Sequence, residues 1–447
     1  MRAMTAGESL VAAQDPLQVW GGLECSVVRI GDRWRDQFRE TGHWERPGDL
    51  DRVAALGIRV LRYPVLWEHV APHRPDLRHW EWHDRRFAQL RHLGLTPIVG
   101  LLHHGSGPLY TDLLDTRFPE QLAIHADAVA ARYPWVQHWT PVNEPLTTAR
   151  FSGLYGHWYP HHRDGASFLR MVVNQCRGTL LAMRAIRRRI PNARLIQTED
   201  LGRTFATPRL RYQADLENER RWLSLDLLCG RVDRHHPLWH HLCGAGLTET
   251  ELGEFMKGDG TPDFIGINHY LTSERYLDHD VGRYPPEFAG GNGREAYADV
   301  EAVRIVPAPG PVGPEARLRE AWERYRRPLL VTEAHHGCAE EVECLRWLGE
   351  IWAAAQNLRA NGADLRAVTI WSVFGAMDWR SLLRERAGAY EPGVFDIRHS
   401  PPAPTGLAEA VQSLLTTGCI ADPEAHGPGW WRRPERVYAR PRGRKIA

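Results

Sequence analysis

"HWTPVNEPLTTARF", His138 to Phe151, is a β-branched and aromatic run that ends in an amide and a carboxyl, Asn143 and Glu144, and is stopped by Pro145. A short apolar run cut off by proline reads as a buried strand. The polar pair at its C-terminal end reads either as a turn or as half of an active site, and the choice depends on whether other runs end the same way. The other runs are "LQVWGGLE" from Leu17, "IRVLRYPVL" from Ile58, "TPIVGLL" from Thr96, "ARLIQ" from Ala193, "DFIGIN" from Asp263, "PLLVT" from Pro328 and "AVTIWSV" from Ala367. With "VQHWTPV" from Val136 they make eight. Between them lie helical patterns such as "PEQLAIHADAVAARY" and "FLRMVVNQCRGTLLAMRAIRRRI", with apolar residues every three or four positions. This alternation predicts an α/β chain, a (β/α)8 TIM barrel built as a single domain. A doubly wound open sheet is the alternative, but no glycine-rich phosphate loop opens a helix after any of these runs.

The 447 residues, 43% hydrophobic, are enough for one large barrel, and the formal net charge of +1 supplies no global field for nucleic acid or an acidic membrane. Residues 1–16 read as an N-terminal extension, 17–418 as the barrel, and 419–447 as a basic C-terminal tail or surface wrap. The Gly- and Pro-rich stretch around 278–314 is too long for a simple connection and is expected as a lid or entrance loop. Seven irregularly spaced cysteines make neither a zinc pattern nor a disulfide framework, so free thiols in a reducing compartment are expected. No signal peptide or membrane span is visible, which predicts a cytoplasmic protein with no membrane partner. Oligomeric state is not readable.

In a barrel the chemistry gathers at the C-terminal ends of the strands. Polar residues end the runs there: Arg62, His103 with His104, Asn143 with Glu144, Asn268 with His269 and Tyr270, Glu333, and Trp371. Two of these are glutamates on strands nearly opposite in a ring of eight. Paired carboxylates across a cleft are what glycosidic bond cleavage needs, one to protonate the leaving oxygen and one to meet the anomeric carbon. Tryptophan faces can stack on sugars, although most of the 18 tryptophans read as packing. Plainer readings stand beside these: Glu144 as a helix-capping carboxylate, Glu333 as an ion pair with Arg62, Asn143 and Asn268 as loop ties, and His103 as a core histidine. The His-His pairs and the Glu199-Asp200 cluster raise a metal hydrolase, but no ligand set accompanies them. No metal or cofactor is expected.

The motifs also resemble glycoside hydrolase family 1, the retaining β-glycosidases. "WTPVNEP" resembles the family's acid/base motif and "PLLVTEAHHG" its nucleophile strand. "VWGG", "LRYPVLWEHVAP", "PIVGLLHH", "DFIGINHY" and "WSVFGAMDW" follow in the family's order, from about residue 17 to about 415. The resemblance implies Glu144 as general acid/base, Glu333 as nucleophile, Asn143 as partner of the sugar 2-hydroxyl, and Tyr270 and Arg62 as the groups that hold the nucleophile. It places His103, Asn268 and Trp371 in the sugar subsite. The implied substrate is a carbohydrate or glycoside.

The chain also departs from the family. Val28 stands where a glutamine is expected, with Glu24 the nearest polar substitute; His104 replaces a tryptophan and Ala334 an asparagine. Asp378 replaces a glutamate that reads outer hydroxyls and is followed by the expected Trp379. These changes imply conserved machinery with altered specificity. "MDWRSLLRERAGAYEPGVFD" is similar to a branch in which such a barrel accompanies a sugar-nucleotide reductase-like domain, which implies an unusual sugar. Transglycosylation at the same site, or a carbohydrate-binding barrel without turnover, remain as alternatives.

Overall fold

The computed structural model describes residues 15–438. The N-terminal extension falls almost wholly outside the described residues, as do residues 439–447 of the basic tail.

Eight strands close into a barrel: β1 (Gln18–Gly22), β2 (Val60–Arg62), β3 (Thr96–His103), β4 (His138–Asn143), β5 (Arg194–Asp200), β6 (Phe264–Asn268), β7 (Leu329–Ala334) and β8 (Leu365–Ile370). Each pairs in parallel with its sequence neighbours, and β8 returns to β1, with Val19 opposite Val368 and Trp20 opposite Thr369. Every apolar run in the sequence supplies one barrel strand, because strands covered on both faces must be apolar nearly throughout. The connections carry helices α1 (Asp49–Leu56), α2 (Glu81–His92), α3 (Phe118–Arg132), α4 (Gly165–Arg189), α5 (Leu223–Leu228), α6 (Pro314–Tyr325), α7 (Glu341–Ala360) and α8 (Gly406–Thr417). In α4 the buried Phe168, Val172, Cys176, Thr179 and Met183 recur at helical spacing, and Asp164 caps the first turn by accepting from the Ser167 amide at 2.8 Å.

The barrel interior is layered. Trp20, Val60, Ile98, Ile196, Phe264, Leu330 and Ala367 fill its lower end with one cluster. Two residues further along their strands, side chains on the same face become polar: Arg62, Thr198, Thr332 and Thr369, all buried. The apolar plug therefore forms a dry floor, and the polar layer above it faces the C-terminal mouth.

β7 is irregular where it matters. It runs in register with β6 as far as Val331 opposite Ile267, then Glu333 stands opposite Asn268, so one extra residue is inserted. A slip also occurs against β8 between Val331 and Ala334. Such a bulge bends the strand and re-aims the side chain that follows it, here Glu333.

The stretch around 278–314 is partly ordered into strands. Ala289–Gly291 and Ala296–Glu301 join Glu274–Asp278 and Arg203–Ala206 in a four-stranded sheet outside the barrel. The loops after β5 and β6 are thus tied to each other. Near the C-terminus, the buried Trp431 donates its indole N–H to Glu350 on α7 at 2.7 Å, so residues 430–432 pack against the barrel's outer layer.

Candidate active site

At the end of β4 the backbone turns through a left-handed residue: Glu144 has φ 44° and ψ 66°. For a residue with a side chain this conformation costs about 1–3 kcal/mol and persists only where its surroundings impose it. Pro145 then occupies the first position of a short helix, Pro145–Ala149, where its missing N–H costs nothing. The next free amide, that of Leu146, is taken by the Glu199 carboxylate from β5 at 3.0 Å, and Ser224 also donates to that oxygen. The proline thus ends the strand and starts the helix, and the strained residue between them projects its carboxyl into the barrel mouth.

Glu333 lies at the β7 bulge, only 2% exposed. Arg62 Nη1 donates to its Oε1 at 2.8 Å, and the Tyr270 hydroxyl donates to Oε2. The same guanidinium nitrogen reaches the Thr332 carbonyl at 2.7 Å, while Nη2 donates to Asn143 Oδ1 at 2.7 Å. One arginine therefore fixes the two strand ends, β4 and β7, to each other. Glu144 is 3% exposed and receives a hydrogen bond from the Asn268 amide, whose own oxygen accepts from Thr332. Burial pushes the Glu144 carboxyl well above the ordinary range, and the charges of Glu333, Asp200 and Glu199 push it the same way.

Asn143 is held on both sides. Its oxygen accepts from Arg62 and, at 2.7 Å, from Thr198, which places its NH2 toward His103 Nε2 at 3.2 Å and His104 Nε2 at 3.5 Å. Both imidazoles must present an unprotonated Nε2 to accept it. Burial keeps both rings neutral, so that one nitrogen of each can accept: it holds His103 far below the usual histidine range and His104 down at about 3, with Arg62 adding to the effect on both. The proton on His104 then sits on Nδ1, 3.0 Å from Thr148 Oγ1, and its Nε2 lies 3.9 Å from Glu144 Oε2.

Trp371 ends β8. Its ring lies parallel to His103, 5.5 Å between centroids and 6° apart, with the Arg62 guanidinium 4.7 Å from its centre. Its indole N–H faces Glu24 Oε2 at 3.3 Å. A Cβ on Gly22 would stand 2.6 Å from this ring, so only glycine lets the ring lie against β1. Glu24 is buried, accepts from the Ser26 amide at 2.9 Å, and is pushed up to about 7 by burial, with the Glu333 charge adding to it. Val28, at the position where glutamine was expected, packs with Trp158 and Leu383 in an apolar cluster.

Sequence reasoning thus named a set that the fold brings together: Arg62, His103, Asn143, Glu144, Asn268, Tyr270, Glu333, Trp371 and Glu24 form one connected hydrogen-bonded and ring-stacked network. Asp378 and Trp379 sit at its rim. Trp379 meets His104 edge-on at 5.5 Å. Asp378 is already engaged: Arg35 donates to its Oδ2 at 2.9 Å and the Ala389 amide to its Oδ1 at 2.7 Å. Arg35, only 4% exposed, also grips Glu40 through two hydrogen bonds and donates to the Leu383 carbonyl at 2.8 Å. Arg35 was not foreseen, and neither were Thr198, Thr332 and Ser224. The two threonines carried a signal, since a polar side chain at an inward position of an apolar strand must find a partner.

The sequence pattern of glycosyl hydrolase family 1 matches residues 42–391. The chain belongs to glycosyl hydrolase family 1. It is a glycoside hydrolase acting on β-glycosidic bonds. Its sequence is 22% identical to beta-glucosidase 47 of Arabidopsis thaliana over 78% of this chain and 71% of that protein. It is 21% identical to a phospho-cellobiase of Klebsiella oxytoca over 73% of this chain and 74% of the relative. Its fold superimposes on a family 1 glycoside hydrolase of Thermotoga maritima, complexed with a cyclophellitol analogue that mimics the transition state, with a TM-score of 0.72, 15% identity and coverage of 91% and 98% of the two chains. Among the described residues, no helix is long and apolar enough to cross a membrane, and no three His, Cys, Asp or Glu side chains group as a metal site.

Proposed function

We propose that this family 1 enzyme cleaves its β-glycoside with retention of configuration, with Glu144 as general acid/base and Glu333 as nucleophile. The observation that supports this most is the difference between the two carboxyls. Glu333 has a donor on each oxygen, Arg62 and Tyr270, which fix the carboxyl and aim it. Glu144 is buried among negative neighbours and kept protonated, as a proton donor must be.

In the first half-reaction Glu144 gives its proton to the leaving oxygen while Glu333 attacks the anomeric carbon. In the second, Glu144 takes a proton from the incoming water and Glu333 departs as carboxylate. Asn143, locked by Arg62 and Thr198, presents its amide to the sugar 2-hydroxyl, where a hydrogen bond gains strength as the transition state forms.

The glycone is uncharged. Glu24, Glu144, Glu333 and Asp378 gather at the mouth, where Arg62 is bound to Glu333, and Arg35 to Asp378 and Glu40. A phosphorylated sugar would meet these carboxylates, with the guanidiniums of Arg62 and Arg35 already paired. The test is hydrolysis of aryl β-glycosides (glucoside, galactoside, fucoside, xyloside, mannoside and 6-phosphoglucoside) by wild type and Glu333→Ala. Turnover of a neutral glycoside, lost in the variant and partly restored by azide or formate, is expected. Unimpaired turnover by Glu333→Ala refutes the nucleophile, and a preference for the phosphoglucoside refutes the neutral glycone.

A further inference from the structure

The turn that follows the nucleophile strand holds two cysteines with no part in the glycosidase chemistry. Cys338 Sγ lies 3.8 Å from Cys344 Sγ, and this is the single thiol–thiol contact among the described residues. Cys338 is half-buried in the turn 335–340, just beyond Glu333, while Cys344 is buried in the first turns of α7. The Cys344 thiol also faces the Cys338 carbonyl at 3.7 Å. A disulfide needs an S–S distance of about 2.05 Å. The gap is small, and it is bridged by a turn that contains Gly337 at φ 77° and projects from the barrel mouth, not by a packed strand.

The two thiols differ in a way that suits ordered chemistry. Trp430 donates its indole N–H to His336 Nε2 at 3.1 Å, which fixes the imidazole proton on Nδ1. That nitrogen is buried and makes no hydrogen bond. The Cys344 thiol and then this imidazole stabilise the Cys338 thiolate and hold its pKa below the ordinary thiol range, whereas the hydrogen bond to Cys338 and burial push Cys344 up. A low-pKa, accessible sulfur beside a buried resolving thiol is the arrangement of a reactive pair.

We propose that Cys338 and Cys344 form a redox modification site that reacts with a hydroperoxide and closes to a reversible intramolecular disulfide beside the nucleophile strand. The Cys338 thiolate attacks the peroxide: an S–O bond forms, the O–O bond breaks, and the alcohol or water leaves after taking up a proton. Cys344 then gives up its proton and attacks the sulfenic sulfur, forming S–S and releasing water. Two thiols are oxidised and one peroxide is reduced. The same turn carries His335, bonded to Glu391 at 3.0 Å, so closure acts on the contact between the loops after β7 and β8.

The experiment uses the full chain, reduced with dithiothreitol, desalted, exposed to hydrogen peroxide, alkylated and digested with trypsin. The peptide ending at Arg346 contains both cysteines. It is expected to lose two hydrogens and both alkylation sites, and to regain them with dithiothreitol, while the exposed Cys419 stays alkylated. In Cys344→Ser, Cys338 is expected to stop at the sulfenic acid and capture a 1,3-dione. Full alkylation of both thiols after peroxide, a dione label on Cys419 in place of Cys338, or a crosslink that dithiothreitol does not open in the folded protein would each overturn the proposal. The wild-type mapping stands whether or not the variant folds.

Discussion

Replacing Tyr270 by Phe removes one hydroxyl and leaves the ring. In the structure that hydroxyl is the donor on Glu333 Oε2, and Arg62 serves the other oxygen. A hydrogen bond to a buried charged group contributes about 1.5–3 kcal/mol. The bond is stronger to a carboxylate than to the ester of a glycosyl-enzyme, so its loss weighs most on the step in which Glu333 leaves as carboxylate. At about 1.4 kcal/mol per factor of ten, deglycosylation is expected to slow roughly 10- to 150-fold. The covalent intermediate then accumulates, and kcat and KM fall together. Stopped-flow release of aryl alcohol from an activated β-glycoside should show a burst equal to the enzyme concentration, followed by a slow steady state, and intact-protein mass spectrometry should show the glycosylated chain. An unchanged kcat, or a raised KM with no burst, would refute the reasoning that Tyr270 acts on the charge of Glu333.

Glu144→Ala should lower kcat/KM by about 10²–10⁴ on substrates with poor leaving groups and far less on dinitrophenyl glycosides, which need little protonation; equal losses on both would remove the acid role. Asp200→Asn takes away one of the charges that hold the Glu144 pKa up, so that pKa falls. Because the acid is active only when protonated, the alkaline limb of the kcat/KM–pH profile should move to lower pH, and a fixed limb counts against Asp200 as a neighbour that matters. Arg35→Ala leaves Asp378 and Glu40 without their shared cation at a site 4% exposed, which should cost about 3–5 kcal/mol in denaturant unfolding; a loss below about 1 kcal/mol would show that the pair is not structurally coupled.

Much of the barrel was legible because its strands obey a local rule. A strand covered on both faces must be apolar, and its polar terminus then stands out, as Asn143-Glu144 and Glu333 do. The parts that were not legible depend on distance along the chain or on backbone detail. Nothing near Asp378 announces that its carboxylate is bound by Arg35, 343 residues earlier in the chain. The stretch around 278–314 looked irregular because short strands such as Ala289–Gly291, paired only with the nearby Ala296–Glu301, are too brief to carry a pattern of their own. The bulge at Glu333 adds a single residue to β7 and leaves no compositional trace. The thiol contact of Cys338 and Cys344 was invisible because six-residue spacing fits no recognised motif; the helix start at Glu341 brings them together.

The Arg35 clasp also bears on how this enzyme could be rebuilt. A closed barrel makes its first and last strands neighbours, so residues near the beginning of the chain decide the shape of a loop near its end. The segment around Asp378 is therefore not a detachable cassette. Transplanting residues 376–391 alone into another family 1 scaffold would carry Asp378 away from the guanidinium that orients it, and inserting a foreign loop here would strand Arg35 and Glu40. A chimera that moves residues 27–40, the hairpin Val27–Asp36 with Glu40, together with that loop keeps Arg35 bound to both carboxylates.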